Sequence, residues 1–141
     1  MDAVDEQLVA LLRGDARLPM ADLGRRVGLS RTATLARVRR LEDAGVIRGY
    51  HAEVGTDVTE PHVARVGLVV QTSDVSAYVR RLASLAEVRE IETVAGEFDL
   101  LVRVAAATAP RLDEVLDRIN GWRETVRTTT FVVLKTYTVP S

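Results

Sequence analysis

Apolar residues recur at Val4, Leu8, Leu11 and Leu12, the spacing of one buried helix face. Asp2 stands where an N-cap is needed and Gly14 where a helix stops, so the pattern predicts a first helix. A connector, Asp15 to Pro19, leads into a second helix that runs through Leu23 to Val27, with Pro19 in its first turn. Gly28 ends that helix in the left-handed conformation glycine tolerates. Ser30 caps a third helix from Arg31 to about Ala44, and Gly45 stops it. On a wheel of about 100° per residue, Thr34, Val38, Leu41 and Gly45 share one narrow arc, the buried one. Thr32, Ala36, Arg39, Arg40 and Asp43 occupy the opposite arc, with Arg37 on a flank and Arg31 in the first turn.

The second half changes period. Gly49 to Val54 reads as a short extended piece, and Gly55 to His62, polar and holding Pro61, as a linker. Val63 to Gln71, Val88 to Val94, Asp99 to Ala105 and Val126 to Val139 are rich in β-formers and predict strands. Between them lie two helical patterns. One is capped by Ser73 or Asp74, with Val75, Val79, Leu82 and Leu85 inward; the other is capped by Thr108, with Leu112, Val115, Leu116 and Ile119 inward. Ala95 to Phe98 is a tight connection. The order βαββαβ is that of a ferredoxin-like domain, whose helices cover one sheet face. The strands carry apolar residues on both faces: Val63, Val69 and Leu101 oppose Val66, Leu68, Val70, Leu100, Val102 and Val104, and Phe131 and Val133 oppose Val132 and Leu134. An apolar second face needs a cover, and a second copy of the sheet is the simplest, so a homodimer is expected.

The predicted fold class is therefore α+β. Residues 1–50 form a helix-turn-helix (winged-helix-like) domain, 51–62 a linker or hinge strand, and 63–141 a ferredoxin-like βαββαβ domain.

Composition adds limits. The 141 residues are 47% hydrophobic and 28% charged, which excludes a disordered chain. Cysteine is absent, so thiol chemistry and disulfides are excluded; with only His51 and His62, no three-His metal site can be built. No metal or cofactor is called for. The sequence shows neither a membrane span nor a secretion signal, so a cytoplasmic location is expected.

The net charge of −1 conceals an asymmetry. Residues 24–50 hold seven arginines against Glu42 and Asp43, a net of +5, while the segments before and after are each −3. A concentrated basic block is the footprint of a nucleic-acid contact. Here it coincides with two helices joined by Gly28-Leu29-Ser30, a helix-turn-helix. Small Ala36 permits close approach, and arginine reaches phosphates or bonds guanine bidentately. The expected DNA-contacting residues are Arg25, Arg26, Ser30, Arg31, Thr32, Ala36, Arg37, Arg39 and Arg40. The partner is double-stranded DNA and, for a dimer, an imperfect palindrome. An αα corner with a solvated charged face is the plainer alternative.

Three stretches carry a resemblance: residues 22–30 (DLGRRVGLS), Arg37 to Glu42 (RVRRLE) and Gly45 to Tyr50 (GVIRGY). They are similar to the DNA-binding half of the Lrp/AsnC (feast/famine) transcriptional regulators. Residues 94–104 (VAGEFDLLVRV) and 128–136 (TTTFVVLKT) resemble that family's effector-binding half. The resemblance implies an amino-acid-responsive regulator whose dimers assemble further. It implies an effector site around Gly96, Glu97, Phe98 and Asp99 with Leu101, and a second wall from Thr129 or Thr130. Asp99 would take the ammonium of a zwitterion, and N–H groups near Gly96 its carboxylate. The chain departs from the family pattern at Pro19, Gly24 and Gly67, where Ser or Thr, Ala and a larger residue are usual.

Other chemistry is sparse. Glu90 and Glu92 share a strand face, His51 and His62 read as surface, and Trp122 as a partly buried anchor. The rival functions are a dimeric ferredoxin-like enzyme and a small-molecule-binding module in which DNA binding is secondary. The enzyme would need an acid/base or metal cluster that the cleft does not offer.

Overall fold

A computed structural model describes residues 1–54 and 60–139. Met1–Glu53 form one compact unit and Val54–Thr138 another.

The first unit is three helices: α1 (Ala3–Gly14), α2 (Met20–Val27) and α3 (Arg31–Asp43). Leu8, Leu12, Leu23 and Val38 form its buried core, with Val4, Leu11, Leu18, Met20, Val27 and Ile47 packed around them. Ser30 caps α3 by accepting the Ala33 N–H at 3.1 Å. Thr34, wholly buried, folds its hydroxyl back onto the Ser30 carbonyl at 2.8 Å and so needs no partner from another element. Pro19 precedes the first turn of α2 instead of lying in it. It is the N-cap residue, offers no side-chain cap, and its carbonyl accepts the Asp22 and Leu23 N–H groups, both at 3.0 Å.

Two details set the helix arrangement. Gly28, at φ 77°, turns the chain out of α2. Gly24 permits the close approach that follows: a Cβ there would stand 2.5 Å from the Leu29 carbonyl oxygen and 2.9 Å from the Thr34 hydroxyl. At the other end of the unit, Asp2 and Asp5 form a capping box, each carboxylate accepting the other residue's N–H. Their remaining oxygens take the Arg37 guanidinium from α3, at 2.6 Å to Asp2 and 3.2 Å to Asp5.

The second unit runs β1 (His62–Val70), α4 (Val75–Ala83), β2 (Val88–Thr93), β3 (Leu100–Ala106), α5 (Ala109–Asn120) and β4 (Thr125–Val132). The sheet order is β2-β3-β1-β4, antiparallel throughout, the ferredoxin-like arrangement expected. Ala64, Val66 and Leu68 of β1 and Leu100, Val102 and Val104 of β3 lie on one face, in one core with Tyr78, Leu82, Leu112, Val115, Ile119 and Trp122. Asp74 and Thr108 cap the two helices through the Ala77 and Arg111 N–H groups. A register shift in β2 between Val88 and Glu90 leaves Arg89 as an extra residue. Its guanidinium grips Glu60 and the Ala86 carbonyl, a bulge used to aim a side chain.

Some expectations change. β4 ends at Val132 instead of Val139, because Val132 already pairs with Ala64 near the start of β1 and the last bond is Val133 N–H to Val63 O. β1 begins at His62, which pairs with Ala106 instead of belonging to the linker. Val75 is exposed; Tyr78 and Leu82 are the buried residues of α4, with Val79 packed against the same core as expected. The Tyr78 ring meets Trp122 edge-on at 5.6 Å and its hydroxyl lies 2.7 Å from that of Thr125. Gly49–Val54 forms no strand, and residues 55–59 of the expected linker lie outside the described residues. Among the described residues no helix is long and apolar enough to cross a membrane.

The Gly24 contact predicts that Gly24→Ala destabilises the protein although alanine is the better helix former. Overpacking of about 1–3 kcal/mol outweighs a gain of about 1 kcal/mol in propensity. Urea denaturation followed by circular dichroism measures the sign, and a stabilised variant would refute the contact.

The Arg37 hydrogen bond, then the Asp5 N–H, lowers the Asp2 carboxyl from 3.8 to about 2. A depressed carboxyl stabilises the fold above its unfolded value, and that contribution is lost as pH falls through the folded value. Asp2→Asn is therefore expected to be less stable than wild type near neutral pH, with the gap closing as pH falls from about 4 to about 2. Denaturation curves across that range check it; a constant gap would assign the effect to packing.

Candidate nucleic-acid interface and effector site

The buried stripe of α3 decides what the helix shows outside. With Thr34, Val38 and Leu41 turned inward, Thr32, Ala36, Arg39 and Arg40 are exposed together, and Ser30 and Arg31 are exposed at the helix start. Arg25 and Arg26 are exposed in the last turn of α2. The residues the sequence grouped as DNA-contacting are thus exposed, with one exception. Arg37 is half-buried and engaged with Asp2 and Asp5. Arg25 is paired within its own helix with Asp22. Arg26, Arg31, Arg39 and Arg40 have no carboxylate partner among the described residues. The signal that distinguishes Arg37 is its flank position on the wheel, but its acidic partners are 32 and 35 residues away in sequence.

In the second unit, the turn after β2 is pinned to β1. Val94 N–H donates to the Asp99 carbonyl at 3.1 Å, and Asp99 N–H to the Leu68 carbonyl at 2.9 Å. The Asp99 carboxylate accepts the Val70 N–H at 3.0 Å through Oδ2. Asp99 is thus a fastener of the turn, and its Oδ1 has no hydrogen-bond partner among the described residues. Gly96, at φ 139°, shapes the turn, and the N–H groups of Ala95, Gly96, Glu97 and Phe98 make no protein hydrogen bond among the described residues. An exposed carboxylate oxygen therefore lies in the same short turn as free N–H donors.

Phe98 lies on the sheet face away from the helices. Its ring sits over Gly67, where a Cβ would stand only 2.8 Å from the ring carbons. Gly67 pairs with Leu101 on one side and Thr129 on the other, so these two flank the ring on the same face. Thr130 pairs with Val66 and belongs to the opposite, helix-side face. The structure thus brings Phe98, Leu101 and Thr129 together and leaves Thr130 out. Gly67, which the sequence marked only as a departure, is the residue that admits the ring.

The same face is less apolar than the strand pattern suggests. Val69, Leu101 and Phe131 share it with Arg65, Arg103, Arg127, Glu90 and Glu92. Arg65 and Glu90 lie 3.7 Å apart, and Glu97 3.9 Å from Arg127.

Comparison with known proteins matches both halves. Residues 1–42 match the AsnC-type helix-turn-helix domain and residues 63–139 the Lrp/AsnC ligand binding domain. The HTH-type transcriptional regulator LrpA of Mycobacterium tuberculosis is 37% identical over 142 residues, spanning 97% of this chain and 92% of that protein. The leucine-responsive regulatory protein of Rhizobium meliloti is 38% identical over 137 residues, spanning 91% and 86%. The crystal structure of the Mycobacterium tuberculosis leucine response regulatory protein (LrpA) matches with a TM-score of 0.84 at 34% identity, over 100% of this chain and 97% of that one. These relatives are regulators, not enzymes. The chain belongs to the Lrp/AsnC family of DNA-binding transcriptional regulators.

Proposed function

We propose that this regulator reads DNA with α3 and answers to an amino acid bound at the turn after β2. Thr32, Ala36, Arg39 and Arg40 enter the major groove, while Ser30, Arg31, Arg25 and Arg26 hold phosphates. The observation that carries the reading is the row of exposed, unpaired arginines set opposite the buried stripe of α3. The functional unit is a homodimer whose sheets meet on the face bearing Leu101 and Phe131, and dimers assemble further. Two recognition helices then call for an imperfect palindrome with half-sites one or more helical turns apart.

The effector is a zwitterion. Its ammonium pairs with Asp99 and its carboxylate with the free N–H groups around Gly96, with Glu97, Phe98, Leu101 and Thr129 as walls; Thr130 lies on the other sheet face. A relative named leucine-responsive supports leucine as the first amino acid to try. The effector acts only by favouring one assembly over another, since equal affinity shifts nothing.

Arg40→Ala is expected to weaken binding to a selected operator by about 1–3 kcal/mol, and the Arg39→Ala, Arg40→Ala double variant by more. A gel-shift titration measures both, and undiminished binding by the double variant rejects the assignment. Light scattering of the full chain is expected to show a dimer or larger species that Leu101→Asp dissociates, with DNA affinity falling in step because the half-sites no longer share one effective concentration. Calorimetry with leucine and the other amino acids is expected to show binding that Asp99→Asn weakens. Equal affinity in both proteins would leave Asp99 a fastener only.

A further inference from the structure

The arginines of the DNA-reading unit do not have equal standing. Among the described residues, Arg37 is the one arginine of this unit whose guanidinium bonds a second helix. It leaves α3 on the flank between the buried and outward arcs and reaches the first turn of α1. There each of four carboxylate oxygens has one task. Asp2 Oδ1 accepts the Asp5 N–H, Asp5 Oδ2 accepts the Asp2 N–H, and Asp2 Oδ2 and Asp5 Oδ1 accept from Arg37 Nη1. The capping box and the ion pair are one network. The Asp5 side chain is 18% exposed and that of Arg37 24%, with Asp2 more open at 55%, so the Asp5 half of the contact is the sheltered one, unlike the Arg25–Asp22 pair with its arginine 76% exposed. Both bonds come from Nη1, so a phosphate reaching the remaining N–H groups would meet a guanidinium whose charge is already offset by two carboxylates, with both acids facing the DNA.

Resting on the DNA-binding reading above, we infer that Arg37 is a positioning residue: it fastens the flank of the recognition helix to the N-terminal turn of α1 and makes no phosphate contact. The core residues Leu8, Leu12 and Val38 set the distance between α1 and α3. The buried stripe sets which arc of α3 faces outward, and small rotations about the helix axis that keep the stripe buried are left to directional contacts to restrain. A two-point polar grip on the flank resists such rotation, and rotation is what would carry Arg39 and Arg40 off the base edges. On this reading the capping acids Asp2 and Asp5 belong to the DNA-reading machinery although they are negatively charged.

The salt dependence of binding separates the two roles. Each phosphate contact contributes about 0.9 to the slope of log affinity against log salt, and a residue that only positions others contributes none. The probes are a duplex recovered from random-sequence DNA by selection on the full chain and a mixed-sequence duplex of equal length. Arg37→Met, which keeps much of the stem, is expected to weaken selected-duplex binding by roughly tenfold with the slope unchanged. Arg31→Ala, which removes a residue read as a phosphate contact, is expected to lower the slope. The Asp2→Asn, Asp5→Asn double variant is expected to lose affinity for the selected duplex too, although it removes two charges that repel DNA. Adding Arg37→Met to that variant is expected to cost little more. Arg37→Lys, with one compact ammonium for the two carboxylates, recovers part of the loss.

A slope reduced by about one per recognition helix in Arg37→Met, or tighter binding by the double Asn variant, overturns the inference and makes Arg37 a phosphate contact. Should Arg37→Met melt at low temperature, the Asp2→Asn, Asp5→Asn variant still decides, because its two directions of change oppose each other. If wild type binds neither duplex, the DNA-binding reading itself fails. If wild type binds and only the Arg37 results disagree, this inference alone fails.

Discussion

How closely α2 can approach α3 governs the DNA-reading unit, and a missing side chain sets that distance. Gly24 lets the Leu29 carbonyl and the Thr34 hydroxyl come within the space a methyl group would fill. The turn is then tight enough for Leu29 N–H to bond the Gly24 carbonyl at 2.8 Å. Thr34 can be wholly buried because its hydroxyl is satisfied one turn back on its own helix. With that stripe inward, the outward arc of α3 can only be the arginine-bearing one. Geometry at a small residue thus becomes electrostatics at a surface.

The two units handle charge differently. In the first, Asp2 and Asp5 cap α1 and hold Arg37, while Arg26, Arg31, Arg39 and Arg40 have no carboxylate partner among the described residues, although Asp43 shares the outward arc. In the second, charges of both signs are interspersed with apolar residues on the open sheet face. A partner covering that face would have to accommodate the Arg65–Glu90 and Arg127–Glu97 pairs and satisfy Arg103 as well as bury Leu101 and Phe131, since breaking a pair or leaving a charge unpaired in an interface is costly. A mixed face of this kind selects a partner by charge pattern, whereas a wholly apolar one would accept many.

Local signals were legible in the residues. Asp2, Ser30, Asp74 and Thr108 all act as N-caps, because capping depends on atoms three positions apart. The stripe of α3 and the βαββαβ order could be read for the same reason: each is a pattern within one element. What could not be read depends on the partner across a gap. The end of β4 is set by where β1 begins, not by the β-forming run that continues to Val139. The pleat that separates Thr129 from Thr130 follows from register with β1, which no single strand contains. Val75 and Tyr78 both suit the inner face of α4, and the tertiary partners Trp122 and Thr125 favour Tyr78. At the candidate sites, the outward arginines and the turn residues were found by type, but Arg37's acids and Phe98's seat over Gly67 are contacts between distant parts of the chain.

The seat of Phe98 has a consequence for how this sequence can change over time. Gly67 and Phe98 act as a single steric unit divided between two segments: the ring occupies the room a side chain at 67 would use. A lineage cannot enlarge residue 67 alone without evicting the aromatic ring, nor trim residue 98 alone without baring a strand glycine and the backbone around it. A larger residue at 67 makes the ring shift, and a smaller one at 98 uncovers the glycine, so the cost of changing either depends on the other. That coupling predicts that homologues with a bulky residue at the position of Gly67 carry a smaller residue, or a differently placed ring, at the position of Phe98.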